Sequence, residues 1–248
     1  NKRNYLEGYH DSVQAMEETL NLFSLGYLTI ELRALAERLF WAVGRKVQRL
    51  VRDMGEIPED LKNLETMLSD TYFCNFSVFQ SIPDSWAIKQ LFPIMPIHRL
   101  DESPTRRAVL GDITCDSDGK VDQFIDRRDV RSTLDLHTHD PNEPYYLAAF
   151  LVGAYQEILG DLHNLFGDTN AVHINIDEDG SYHIDDFIEG DRVSEVLHYV
   201  QFSAEKLIER MRKDVDRAVR TGNVSAKEAK QFMRFYESGM DGYTYLEE

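Results

Sequence analysis

Cys115 and Asp116 are the residues of this chain best suited to chemistry by type and position. They lie in Asp112-Ile-Thr-Cys-Asp-Ser-Asp118, closed by Gly119, directly after the apolar run Ala108-Val-Leu110. A strand ending there delivers a thiol and several carboxylates into a turn, where side chains meet ligands more readily than in a core. Adjacent carboxylates oppose a thiolate. Cys115 therefore reads as a protonated thiol able to give up a proton, with Asp116 a receptor for a cation. The bland alternative is an inert cysteine packed as a small hydrophobe.

Other constellations are weaker. Counting an EF-hand back from Gly119 puts Thr114 first and Ile125 twelfth, so both end ligands fail. Counting from Gly180 gives Asn175, Asp177, Asp179 and Asp186, but strand-type alternation flanks that loop and predicts a plain hairpin. His137 and His139 share a strand face if they lie on one, yet no third metal ligand is identifiable and a solvated loop ending at Pro141 is the better reading. His163 sits in a helical pattern without a Ser or Cys partner nearby and reads as a packing or surface residue. There is no Gly-rich phosphate loop and no Gly-x-Ser-x-Gly elbow.

Bulk properties narrow the field. The 248 residues are 42% hydrophobic and 29% charged, values typical of a globular protein. Lys and Arg number 27 against 44 Asp and Glu, a formal charge of −17. That balance disfavours nucleic acid, which needs clustered cations, and suits a cationic ligand. No apolar stretch approaches the roughly 20 residues of a membrane span. Asn1-Lys-Arg-Asn-Tyr5 has neither an initiator Met nor the apolar core of a signal peptide, so the sequence reads as an excised or processed piece. Two cysteines, at 74 and 115, make no disulfide framework and point to a reducing compartment.

The elements that must position these residues follow from periodicity. Leu28, Leu32, Leu35, Leu39, Val43, Val47 and Leu50 give a helical stripe within a predicted helix over 8–54, with Thr29 as a cap, and the stripe is expected to pack on the rest of the fold. From Thr71 to Phe79, Ile94 to Leu100, Arg107 to Thr114 and Tyr145 to Phe150 the texture is that of strands punctuated by prolines. Ala154 to Phe166 reads as helix stopped by Gly167. Helical period returns from Asp191, breaks at Gly222-Asn223, and resumes behind Ser225 with Glu228 in the capping-box position. The expected fold class is α+β.

At two long motifs the chain is similar to a known family. Gly111-Asp-Ile-Thr-Cys115-Asp-Ser-Asp-Gly-Lys-Val-Asp-Gln-Phe124 and Phe150-Leu-Val-Gly-Ala-Tyr155-Gln-Glu-Ile-Leu-Gly-Asp-Leu-His-Asn-Leu-Phe-Gly167 resemble the biosynthetic arginine decarboxylases, pyridoxal phosphate enzymes of the alanine racemase-like fold type III. The resemblance covers essentially the whole chain, down to the Tyr243-Thr-Tyr-Leu-Glu ending. It implies the C-terminal β-barrel or sandwich domain of those enzymes, with an inserted helical bundle at 1–65, the β-rich domain at 66–190 and a C-terminal helical domain at 191–248. The (β/α)8 barrel and its cofactor-attaching lysine find no match in this sequence. The chain alone is therefore expected to be inactive.

Residue by residue, the resemblance implies roles for four positions. Cys115 matches a catalytic thiol that reaches into the partner subunit's site and returns a proton after carbon dioxide leaves. Asp116 matches the acid that reads the far end of the substrate, where a carboxylate can hold a guanidinium bidentately. Tyr155 matches a tyrosine that hydrogen-bonds the cofactor phosphate. Ser69-Asp70 resembles the start of a segment setting substrate length, which makes Asp70 a substrate-binding candidate; from the residues alone it is equally a turn residue before a strand. The resemblance further implies pyridoxal 5′-phosphate as cofactor, with room for Mg2+, L-arginine as substrate and agmatine as product for polyamine synthesis. It implies a homodimer or higher homo-oligomer with the site at the interface, in the cytoplasm, with no nucleic acid or membrane partner. A related ornithine, lysine or diaminopimelate decarboxylase, or a non-catalytic decarboxylase-like binding module, remains the alternative.

Overall fold

A computed structural model describes residues 4–51, 58, 61, 63–114, 119–127, 129–160 and 162–246. In chain order it begins with helices α1 (Asn4–Ser24), α2 (Ile30–Val51) and α3 (Leu64–Met67), strand β1 (Asp70–Phe73), and helices α4 (Val78–Ser81) and α5 (Pro83–Ala87). Strands β2 (Ile94–Pro96), β3 (Arg106–Gly111), β4 (Lys120–Val121), β5 (Phe124–Ile125), β6 (Val130–Arg131), β7 (Leu134–Leu136) and β8 (Leu147–Ala149) follow. Helix α6 (Ala154–Leu159) and a 3-10 turn (His163–Leu165) lead to the pair β9 (Ala171–Ile176) and β10 (Tyr182–Ile188). Helices α7 (Val193–Tyr199), α8 (Ala204–Arg220) and α9 (Ala226–Met240) close the chain. The expected order of helices, strands and helices is the one formed.

Two compact units emerge. The first comprises 1–70 with 104–108 and 135–138; the second comprises 71–103, 109–134 and 139–248. In the first unit the helix predicted over 8–54 is two helices, with 52–54 outside the described residues. Gly26 makes the break. It takes φ +79°, its N–H bonds the Phe23 carbonyl at 2.9 Å, and the Tyr27 N–H reaches the Leu22 carbonyl at 2.9 Å. This left-handed closure ends a helix without the strain a side chain would bring. Thr29 then caps α2 as expected, accepting from the Leu32 N–H at 3.5 Å.

The leucine stripe does not face inward along its length. Leu32, Leu35, Leu39 and Leu50 are exposed, whereas Val43 and Val47 of the same stripe are covered together with Gly44 and Val51. Val47 and Val51 join Tyr9, Leu61 and Leu64 in a core, with Tyr5, Leu6, Val13, Val43 and Leu68 packed against it. Small and β-branched residues permit this close approach, as Gly44 illustrates: a Cβ there would sit 3.4 Å from Leu68 Cδ2. Leucine is a strong helix former on any face, so its recurrence alone does not mark the buried side.

The strands are short. A four-stranded sheet runs β1-β3-β4 with β7 also on β3, and β2/β8, β5/β6 and β9/β10 form antiparallel pairs. The run predicted as strand from Thr71 to Phe79 stops at Phe73 instead. Past it the Cys74 N–H bonds the Gly111 carbonyl at 2.8 Å, and the chain turns into α4. The β9/β10 hairpin matches expectation, turning at Asp177–Ser181. Its register pairs Ile176 with Tyr182, Ile174 with Ile184 and Val172 with Phe187, an apolar face that is exposed throughout.

The closing helices carry their stop signals. Gly222 takes φ +73°, with N–H bonds from Gly222 to Val219 and from Asn223 to Ala218, both 3.0 Å. Ser225 and Glu228 form the anticipated reciprocal cap, with the Ser225 N–H to Glu228 Oε2 at 2.9 Å and the Glu228 N–H to Ser225 Oγ at 3.3 Å. After α9 the segment 243–246 folds back across the unit. Tyr245 stacks on Phe166 at 5.0 Å, donates to the Gly167 carbonyl at 2.7 Å and accepts from the Ser77 N–H at 3.2 Å. Asn75 clasps Leu246 through two backbone bonds of 2.8 and 2.9 Å. Burial raises the Tyr245 phenol well above its ordinary value.

Replacing Tyr245 with Phe strands the buried Ser77 N–H and Gly167 carbonyl together. Unfolding in urea should show a loss of about 1–3 kcal/mol; an unchanged midpoint would mean the fold-back segment contributes nothing to the unit.

Candidate functional site

Cys115 and Asp116 lie outside the described residues, between two ends that the structure describes well. Strand β3 ends at Gly111, and Asp112 follows, 5% exposed. The Asp112 N–H bonds the Gly119 carbonyl at 2.9 Å and so fastens the start of the segment to its finish. The Ile113 N–H bonds the Phe76 carbonyl at 3.0 Å. Asp112 Oδ2 accepts the Val78 N–H at 2.9 Å, at the start of α4. Gly119 is required beneath it, because any Cβ there would collide with the Asp112 carboxylate.

Asp112 Oδ1 and Thr114 Oγ1 are buried without a hydrogen-bond partner among the described residues. Burial pushes the Asp112 carboxyl above the usual carboxylate range; the Val78 N–H and the charge of His163 pull it partly back. Neither Asp112 nor Gly119 stood out in the sequence as a site residue. Their signal was position: they bracket the Cys115 segment.

Tyr155 stands on α6, 75% exposed, at the end of an unusually constrained approach. The Phe150 N–H is tied to the Pro93 carbonyl at 2.8 Å, and Leu151 then adopts φ +59°, a conformation costly for a bulky side chain. Helix α6 is shorter than the predicted span to Phe166. Asn164 and Leu165 both take φ +61°, which ends any regular helix there. Gly167 is no helix stop. A Cβ at that position would strike Asp191, and its N–H donates to Thr244 Oγ1 at 3.0 Å.

Asp70 is the first residue of β1, within the strand rather than in a turn before it, and belongs to the first unit. Its carboxylate meets the Arg106 guanidinium at 3.5 Å, with both side chains about half exposed.

The remaining candidates do not converge. His163 packs edge-on against Phe79 at 5.3 Å, in keeping with a packing role. His137 is buried while His139 is exposed, and no group of three His, Cys, Asp or Glu side chains suited to a metal ion occurs among the described residues. Cys74 is a free thiol, its pKa pushed up to about 11 by burial and by Asp112, and is therefore a poor nucleophile. Among the described residues no helix is long and apolar enough to cross a membrane.

Comparison with known proteins places these features. Residues 1–65 match the model of the arginine decarboxylase helical bundle domain, and residues 193–246 match that of the arginine decarboxylase C-terminal helical extension. The chain is 54% identical over 247 residues to the biosynthetic arginine decarboxylase of Gloeobacter violaceus, covering 98% of this chain and 38% of that protein. It is 52% identical to that of Bacteroides thetaiotaomicron, covering 100% and 39%. Over nearly its whole length the chain is similar to part of the biosynthetic arginine decarboxylases. A crystal structure of the biosynthetic arginine decarboxylase from Campylobacter jejuni superposes with a TM-score of 0.77 at 34% identity, covering 100% of this chain and 38% of that one. The chain thus spans well under half the length of the family members it matches.

Two outcomes test the bracket around Cys115. Gly119→Ala should overpack the Asp112 carboxylate and cost about 1–3 kcal/mol in denaturation. Asp112→Asn removes a buried group whose folded pKa is raised. Wild type should therefore gain stability relative to the variant as pH falls from neutral through that raised pKa, and the gain should level off near the ordinary carboxylate value of about 4. A pH-independent difference between the two would contradict the assignment.

Proposed function

We propose that these residues are the C-terminal portion of a pyridoxal phosphate-dependent arginine decarboxylase, which releases carbon dioxide from L-arginine to give agmatine for polyamine synthesis in the cytoplasm. The observation that carries this reading is identity above half, sustained along nearly the whole chain, to biosynthetic arginine decarboxylases. Three parts are proposed: the helical insertion at 1–65, the β-rich domain at 66–190 and the C-terminal helices at 191–248. The exposed apolar face of the β9/β10 ribbon supports an incomplete assembly, since a lone two-stranded ribbon with a wet apolar face is marginal in water.

The residues in hand fit part of the cofactor's needs. Tyr155 offers an exposed phenol able to donate to a phosphate oxygen. The lysine that would attach the cofactor is assigned to polypeptide outside these residues. When bound, pyridoxal phosphate supplies the electron sink for breaking the bond to the carboxylate. Cys115 then gives its thiol proton to the carbon that has lost carbon dioxide: the S–H bond breaks, a C–H bond forms, and solvent reprotonates the sulfur. Asp116 receives the substrate guanidinium through paired N–H donors, and Asp70 is assigned to limiting substrate length. A formal charge of −17 favours approach of a cationic substrate. Homo-oligomers are proposed in which Cys115 and Asp116 serve a partner subunit's site. No role is proposed for Mg2+.

In the full-length protein, Cys115→Ala should lower agmatine formation by about 10²–10⁴-fold, the range of a lost general acid, or divert protonation toward transamination. Cofactor uptake should persist. Undiminished agmatine output would remove Cys115 from the mechanism. Turnover of ornithine, lysine or diaminopimelate in preference to arginine would overturn the assigned substrate.

A further inference from the structure

Tyr155 has a neighbour with a different fate. Gln156 is only 6% exposed, whereas Tyr155, Ile158 and Leu159 on the same helix face solvent. Its carboxamide makes a reciprocal pair with Asp84, an early residue of α5. The Asp84 N–H donates to Gln156 Oε1 at 3.1 Å, and Gln156 Nε2 donates to Asp84 Oδ2 at 2.7 Å. The Gln156 N–H in turn bonds the Gly153 carbonyl at 3.0 Å.

Helix α6 has six residues, far too few to persist on propensity alone, and it follows the strained Leu151. Its direction must be imposed from outside. Among its described side chains, Gln156 is the buried one with polar contacts to another element. The chemistry of the pair is specific. The partner groups are one N–H donor and one carboxylate acceptor, so the side chain must both accept and donate, as an amide does and a carboxylate or aliphatic chain does not. A Glu in this position would set two carboxylates against each other.

We infer that Gln156 is a positioning residue, its clasp on Asp84 fixing the direction in which Tyr155 presents its hydroxyl to the cofactor phosphate. This rests on the proposed role of Tyr155. The Gln side chain touches neither substrate nor reacting atoms; it acts by removing the freedom of α6 to tilt, so that the phenol does not have to be ordered when the phosphate arrives.

Cofactor affinity of the full-length apoprotein, titrated with pyridoxal phosphate and followed by absorbance, tests it without reference to turnover. Tyr155→Phe should weaken binding by about ten- to a hundredfold, the loss of a hydrogen bond to a charged group. Gln156→Ala should weaken it by about three- to tenfold, and should add less than about twofold once the Tyr155 hydroxyl is gone, because coupled sites are not additive. Gln156→Glu should weaken binding too, and Asp84→Asn in the same protein should restore it by reversing donor and acceptor. That pair keeps the test readable if Gln156→Ala fails to fold. Equal losses with and without the hydroxyl, or no recovery in the Asp84→Asn, Gln156→Glu double variant, would overturn the inference. Unchanged affinity in Tyr155→Phe would instead sink the phosphate role of Tyr155 and the inference with it.

Discussion

A buried carboxylate between a helix start and a glycine is the constraint on which the candidate site depends. Asp112 closes the base of the segment carrying Cys115 through its backbone, and holds α4 through Oδ2. Taking a carboxylate out of water is costly unless hydrogen bonds compensate, and here one oxygen lacks a partner among the described residues. Folds retain such arrangements where geometry is worth more than stability. The glycine that makes room for the carboxylate is the same residue whose carbonyl receives the Asp112 N–H, so one hydrogen bond and one close approach join the two ends of the segment.

The same unit repeats this logic with different atoms. Tyr245 binds a carbonyl and an N–H from two distant stretches, and Asn75 holds the backbone of Leu246 from both sides. Gln156 does the same for α6. Short strands and one-turn helices bury too little to orient themselves. Side-chain clasps on backbone groups supply the orientation in their place, and a site built on loops needs that precision.

Local signals in the sequence were reliable where one residue decides the outcome. The Ser225–Glu228 cap, the Gly222-Asn223 stop and the Asp177–Ser181 hairpin depend on neighbours in the chain, and all were legible. Features decided by distant partners were not. Gly26 looked like any glycine within a helical run, the stripe of α2 is covered at Val43 and Val47 but exposed at Leu32, Leu35, Leu39 and Leu50, and the Ser77 N–H is bound by Tyr245, 168 positions away. Gly167 resembled a helix stop, and its actual reason is the proximity of Asp191. The candidate site divided likewise. Motif resemblance carried Cys115, Asp116, Tyr155 and Asp70, whereas Asp112 and Gln156 emerged only from hydrogen bonds that no spacing encodes.

We propose that a thiol and an acid from this polypeptide complete a pocket anchored elsewhere, in a partner copy. Subunit mixing addresses it directly: full-length protein carrying Cys115→Ala is co-assembled with full-length protein whose cofactor-attaching lysine has been replaced, and agmatine formation is measured. Each parent should be nearly inactive, and the mixture should regain about a quarter of wild-type activity, the share expected when half the assemblies are mixed and each holds one intact site. A mixture no more active than its parents would contradict a shared site.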